Sequence, residues 1–445
     1  MRKRIFPLVF IFRGSFRKPA SPTLNAIFSG KIGSQTEAIV CWRPAATPFE
    51  KDRYDCFHGR PSAASYLCER GQQRTAQARR GTTAALSLIA SAALLSGCAS
   101  SPGHEPASDQ SCLTGTVVYE HYDAESGSTP SLPAPSATWT LSAVDGDGAA
   151  VSATGSTALD GSFEACVDGG PIYNATVTVS AENEGVWRVV DTYDESTVFA
   201  FSSEPVAEVS GVIDLETLAA PDDVAGAFKA ADSVSRLYAA RGMDTPCWTP
   251  NLATLAECRP VVVSWNSEVP ENEGGWWDPE GDKIVLAGAD PSSQHLVLHE
   301  MGHWWSGELY GGWFPEVTGC EQHFVDHPST PSCAWTEGFA DAVAAWVLGD
   351  RAYVLADGTV TPFEAGEGLP WEGGDITQGN VAAAPLDLWA FDGPDGTWGA
   401  NISLMLEHPS SDFREYFLED RPAAGLSATG EAADLLLPYG IDYRG

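Results

Sequence analysis

The eleven residues from His295 to Trp305, His-Leu-Val-Leu-His-Glu-Met-Gly-His-Trp-Trp, constrain this chain more than any other stretch. They contain H-E-x-x-H at His299, Glu300 and His303. On a helix, two histidines four residues apart share one face about one turn apart, a geometry suited to a zinc ion. Local signals predict that helix. Asp290 suits an N-cap and Pro291 the first helical position, while Leu296, Val297, Leu298 and Met301 supply apolar residues to bury. A buried helix with His295, His299 and His303 on one stripe must partner their ring nitrogens, because each unpaired buried polar group costs about 1–3 kcal/mol. A metal would satisfy two of them at once.

A catalytic zinc usually takes three protein ligands and keeps a fourth position for water. Glu337 in Trp335-Thr-Glu-Gly-Phe-Ala-Asp341 is the expected third ligand, and Asp341 lies four residues later on the same helical face. A carboxylate there can accept the N–H of a ligating histidine and fix its tautomer. Five of the nine histidines (295, 299, 303, 323 and 327) fall within 33 residues, which a set of ordinary core histidines does not explain.

The pattern His299-Glu300-x-x-His303-x-Trp305-x-Gly307-Glu308, followed by Trp335-Thr-Glu337-Gly-Phe-Ala, resembles the gluzincin metallopeptidases, above all their zinc aminopeptidase branch. The close match spans about 45 residues, and the architecture it implies covers roughly the last 220. The resemblance implies one Zn2+ held by His299, His303 and Glu337, Glu300 as general base, Asp341 beside a histidine ligand, and a peptide or protein substrate. It also implies a Tyr or His that stabilises the transition state; Tyr310, His323, Tyr353 and Tyr416 are candidates that spacing does not separate. His295 reads as a structural or rim residue. The chain departs from the pattern in three places. Between His303 and Glu337 lie 33 residues where the family has 18, and Cys320 to Cys333 reads as a disulfide-closed insertion near the cleft. The G-x-M-E-N strand that holds a substrate amine is missing, with Glu271-Asn272 its only echo. Thr336 stands where the family has Asn.

The first 97 residues hold 15 of the 25 Lys and Arg but only 5 of the 60 Asp and Glu, so the remainder carries 55 acidic against 10 basic side chains. The two parts read as different entities. Arg79-Arg80, an apolar run from Thr83 to Leu95 too short to span a bilayer, and Leu95-Ser-Gly-Cys98 follow in order. That arrangement resembles a bacterial lipoprotein signal, with Cys98 the lipidated first residue of the mature protein. Residues 1–97 are therefore expected to be an upstream extension plus signal peptide, with a basic tail before an uncleaved anchor as the other reading. Residues 98–111 have linker composition and are expected to tether the protein to the cell envelope.

From 112 to 218 short β-branched runs alternate with turns at Asp145-Gly, Asp160-Gly and Asp168-Gly-Gly, which predicts an all-β sandwich. Its Asp160-Gly-Ser-Phe turn resembles the prealbumin-like domains that accompany secreted peptidases, and the sandwich reads as a spacer or as a module that binds a partner or sugar. Residues 219–445 are expected to form an α+β zincin-like metallopeptidase domain. It opens with a helix over Asp222–Arg241 and places the strand Lys283–Ala287 as the edge that receives extended substrate. Trp276-Trp277 could line the cleft or serve packing. After Cys98 six cysteines remain, two in each domain or local loop, so sequential pairing 112–166, 247–258 and 320–333 is expected, in an oxidising compartment. The acidic charge excludes nucleic acid as a partner. Two function classes stand: a lipid-anchored zinc metallopeptidase, and a surface binding or adhesion lipoprotein that keeps a zincin fold and a non-catalytic zinc. An intact Glu300 argues against the second.

Overall fold

The computed structural model describes residues 28–29, 38–42, 55–57, 110–250, 258–321, 323–363, 370–390 and 397–444. The chain divides into two units, 12–102 and one that includes 103–445. In the first, three short strands, Phe28–Ser29, Ala38–Trp42 and Asp55–Phe57, pair antiparallel in that order. Cys98 and the signal-like segment lie outside the described residues. Among the described residues no helix is long and apolar enough to cross a membrane.

The second unit is a mixed α/β body with several sheets and helices. Its N-terminal part holds two sheets. In one, β1 (Gln110–Glu120) pairs with Ser131–Pro133; in the other, β2 (Thr138–Asp145) pairs with β3 (Ala150–Ser156). β4 (Ser162–Asp168) then pairs antiparallel with β1, β5 (Ile172–Ser180) with β2, and β7 (Gly211–Ala219) runs parallel to β1. Leu113, Val117, Leu141, Val177 and Val179 are fully buried in a common core, as strand alternation dictates when one face of a sheet meets another.

The strand β6 (Trp187–Asp191), expected in this sandwich, belongs elsewhere. After helix α1 (Asp222–Ala240), it runs parallel to β8 (Val261–Trp265), which is flanked by β10 (Lys283–Leu286), with β9 (Trp276–Asp278) antiparallel on the outside. The small strand Glu182–Asn183 completes the five-stranded sheet at the far end. Val189 and Val190 face opposite sides of that sheet and both are fully buried, which a strand covered on both faces requires. The outer edge is therefore Trp276–Asp278, and Lys283–Leu286 is an interior strand.

Helix α2 (Gln294–Leu309) carries the H-E-x-x-H motif. Asp290 is not its cap. Residues Asp290–Ser292 form a 3-10 turn in which Asp290 accepts the Ala287 N–H, and Ser293 caps α2 by accepting the Leu296 N–H at 2.9 Å. Helix α3 (Pro331–Leu348) starts at Thr330, which accepts the Cys333 N–H, and stops at Gly349 in the left-handed conformation. Gly302 of α2 lies against Ala340 of α3, where a Cβ would come within 2.8 Å of the Ala340 Cα. Gly338 likewise lets helix α4 (Gln378–Ala390) approach α3, since a Cβ there would meet the Gln378 carbonyl at 2.8 Å. These close approaches bring the polar residues of three helices into one cluster.

Candidate metal centre

Helix α2 is buried on nearly every face, so each of its polar side chains needs a partner. His299 Nδ1 meets Asp341 Oδ1 at 2.7 Å, and the second oxygen of Asp341 accepts from Gln378 Nε2 at 2.8 Å. The ring of His299 is thereby oriented, and its Nε2 points at Glu337 Oε2, 3.2 Å away. His303 Nε2 lies 3.4 Å from the same oxygen and 3.1 Å from His299 Nε2. Three donor atoms on two helices thus converge on one point.

The chemistry of this set fits a zinc ion. With its Nδ1–H donated in a hydrogen bond to Asp341, the neutral His299 ring presents a lone pair at Nε2, and lone pairs of two imidazoles and a carboxylate facing each other call for a cation between them. Tetrahedral ligands at zinc distance from a common centre are about 3.3 Å apart, which the separations here match. Without a metal, the same carboxylates favour protons on the facing rings. Burial opposes charge on His299, but Asp341 and then Glu337 override it and lift its pKa well above the ordinary histidine value. Burial would raise the Glu337 carboxyl, yet His323 and His303 drive it well below the usual range.

Glu300 projects beside the cluster and does not join it. Its carboxyl is buried and pushed up to about 7 by that burial, against the pull of His299 and His303, with the nearby backbone of Trp277 working in the same direction as the histidines. Trp277 stacks over His303 with ring centroids 6.5 Å apart and meets Phe314 edge-on at 4.8 Å, so the paired tryptophan lines this site.

The four stabiliser candidates separate. Tyr353 packs edge-on against His299 at 5.8 Å, and His323 Nε2 lies 3.2 Å from Glu337 Oε2. Tyr310 does not reach the cluster: two turns beyond His303, about 10 Å along the axis, it is buried against Ser410 and Trp335. Tyr416 stacks on Trp335 and donates to Asn401 Oδ1. His295 is fully buried and bridges Glu125 at 3.2 Å and Asp350 at 3.0 Å, a structural place away from the three donors.

Two contributors have no signal in the sequence. Gln378 reaches Asp341 across 37 residues. Glu125 caps α2 from the β region, its Oε1 accepting the N–H groups of Gln294 at 2.7 Å and His295 at 3.2 Å. Trp277, a cleft candidate from the sequence, lies beside His303 and Glu300 at the sheet edge. The disulfides pair as 112–166, 247–258 and 320–333, so their sulfurs are not free to ligate metal.

Comparison with known proteins adds a relation. Residues 112–227 match the family described as the mycolysin middle domain, and residues 241–439 match the mycolysin C-terminal domain. No curated protein matches the chain. Among solved structures, the crystal structure of the major plantain pollen allergen Pla l 1 shares 13% identity over 25% of this chain and 98% of that one, with a TM-score of 0.16, too low to carry an argument.

Proposed function

We propose that this chain, related to the mycolysin peptidases through consecutive middle and C-terminal domains, is a zinc-dependent peptidase. His299, His303 and Glu337 would hold the metal, and Glu300 is the general base. The observation that carries the reading is the convergence of three donor atoms within 3.1–3.4 Å of one another, with Asp341 fixing the tautomer of His299.

Zinc held there would supply a Lewis acid for the scissile carbonyl and make a water proton easier to remove at neutral pH. Glu300 accepts that proton on a carboxylate oxygen and returns it to the leaving amine nitrogen, acting first as base and then as acid. Its burial suits the task, because a desolvated carboxylate holds a proton more tightly than an exposed one. Asp341 and Gln378 keep the His299 ring from rotating. We take Tyr353, whose ring packs edge-on against His299, as the donor to the developing oxyanion. The outer strand Trp276–Asp278 borders Glu300 and His303, so an extended peptide added along it would pass over the cluster.

The three disulfides fit an extracytoplasmic location. A lipid anchor at Cys98 in the cell envelope belongs to the same proposal, as does a division into a tether over 98–111, a β domain over 112–218 and a peptidase domain over 219–445.

The test is zinc content together with hydrolysis of a mixed peptide library, on the full chain and on Glu300→Gln. One zinc in both proteins with cleavage by the parent alone supports the reading. Zinc without cleavage in the parent favours a surface binding lipoprotein, and no zinc in either overturns the ligand set.

A further inference from the structure

We propose that His323 is a positioning residue that holds the Glu337 carboxylate in place, and that the Cys320–Cys333 disulfide fixes His323 for this task. The inference rests on the zinc reading above and assigns the inserted segment a purpose beyond it.

His323 is buried, and its ring spans two fixed points. Nδ1 lies 3.0 Å from the Cys320 carbonyl and Nε2 lies 3.2 Å from Glu337 Oε2, the same oxygen that faces His299 and His303. The carbonyl belongs to a half-cystine whose partner, Cys333, sits in the first turn of α3, one turn before Glu337. The disulfide therefore closes a short circuit: Cys333 to Cys320 to His323 to Glu337 and back along the helix. A glutamate side chain has three rotatable bonds, and a ligand free to turn loses affinity for its metal. A ring held at both nitrogens removes that freedom.

The same segment also supports the other side of the cluster. Beyond His323, Val325 accepts the Gly379 N–H at 2.9 Å and the Ser329 N–H donates to the Ile376 carbonyl at 2.8 Å. Between those two anchor points lies Gln378, which grips Asp341 and through it His299. Residues that hold the ligands of a metal site in place typically contribute 10–100-fold in metal affinity. Here one disulfide-closed segment reaches both the carboxylate ligand and a histidine ligand.

The experiment measures zinc affinity of the full chain by competition with a chromophoric chelator, with melting curves to check folding. His323→Ala and the Cys320→Ser, Cys333→Ser pair should each weaken zinc binding by about 10–100-fold, while His323→Gln, whose amide nitrogen can reach Glu337, should recover much of the loss. His327→Ala, at an exposed position of the same segment, should leave affinity unchanged. If His323→Ala binds zinc within twofold of the parent while His299→Ala loses it, the positioning role is overturned and the metal reading survives. If His323→Ala lowers kcat with affinity intact, His323 acts on the transition state and the proposal fails. If His299→Ala also binds zinc normally, the metal reading itself is wrong.

Discussion

Gln378 Nε2 donates to Asp341 Oδ2 at 2.8 Å, on the carboxylate whose other oxygen meets His299 Nδ1 at 2.7 Å. Asp341 is fully buried, so both of its oxygens depend on these two partners. Gln378→Ala leaves one oxygen without a donor and frees the carboxylate to turn. Zinc affinity should fall about tenfold, read by chelator competition, with the zinc stoichiometry still near one.

Gly302→Ala places a methyl 2.8 Å from the Ala340 backbone and must push α2 away from α3. Overpacking of this kind costs about 1–3 kcal/mol, and it acts on the two helices that carry the ligands. A lower melting temperature together with weaker zinc binding is expected. Gly399→Ala, where a Cβ meets nothing within 4 Å, is the matched control and should not lower the melting temperature.

His295 links pH to stability. Burial works against its charge, but Asp350 and Glu125 raise its pKa from 6.5 to about 9. A raised folded value means that the proton stabilises the fold, fully below pH 6.5, and that this contribution disappears as pH rises through 9. It is worth about 2 kcal/mol after solvent screening at the half-exposed Asp350. The melting temperature of the parent should therefore fall between pH 6.5 and 9, and Glu125→Gln should flatten that slope. An identical slope in the variant would remove Glu125 from the linkage.

Tyr353→Phe should lower kcat by at least tenfold with zinc affinity unchanged, the mark of an interaction made in the transition state. Tyr416→Phe, whose hydroxyl is spent on Asn401, should leave kcat within about twofold. Steady-state hydrolysis of one cleaved peptide separates the two.

The sequence alone determined what short-range geometry controls. Four-residue spacing set His299 beside His303 and Glu337 in line with Asp341, because helical pitch is a local property. An even number of cysteines in each stretch was enough to pair them as 112–166, 247–258 and 320–333. Strand alternation and turns between 112 and 180 were legible for the same reason.

Only the tertiary structure decided which surfaces meet. Trp187–Asp191 looks like any buried strand, and its membership in the sheet with Val261–Trp265 depends on a parallel pairing across more than seventy residues. The grip of Gln378 on Asp341, the capping of α2 by Glu125 and the contact of His323 with Glu337 are likewise long-range. Such contacts leave no periodicity or spacing in the chain, because they arise from how packed elements fill space. Gly302 and Gly338 show the limit: each is visible as a residue, but its meaning is the approach of a neighbouring helix.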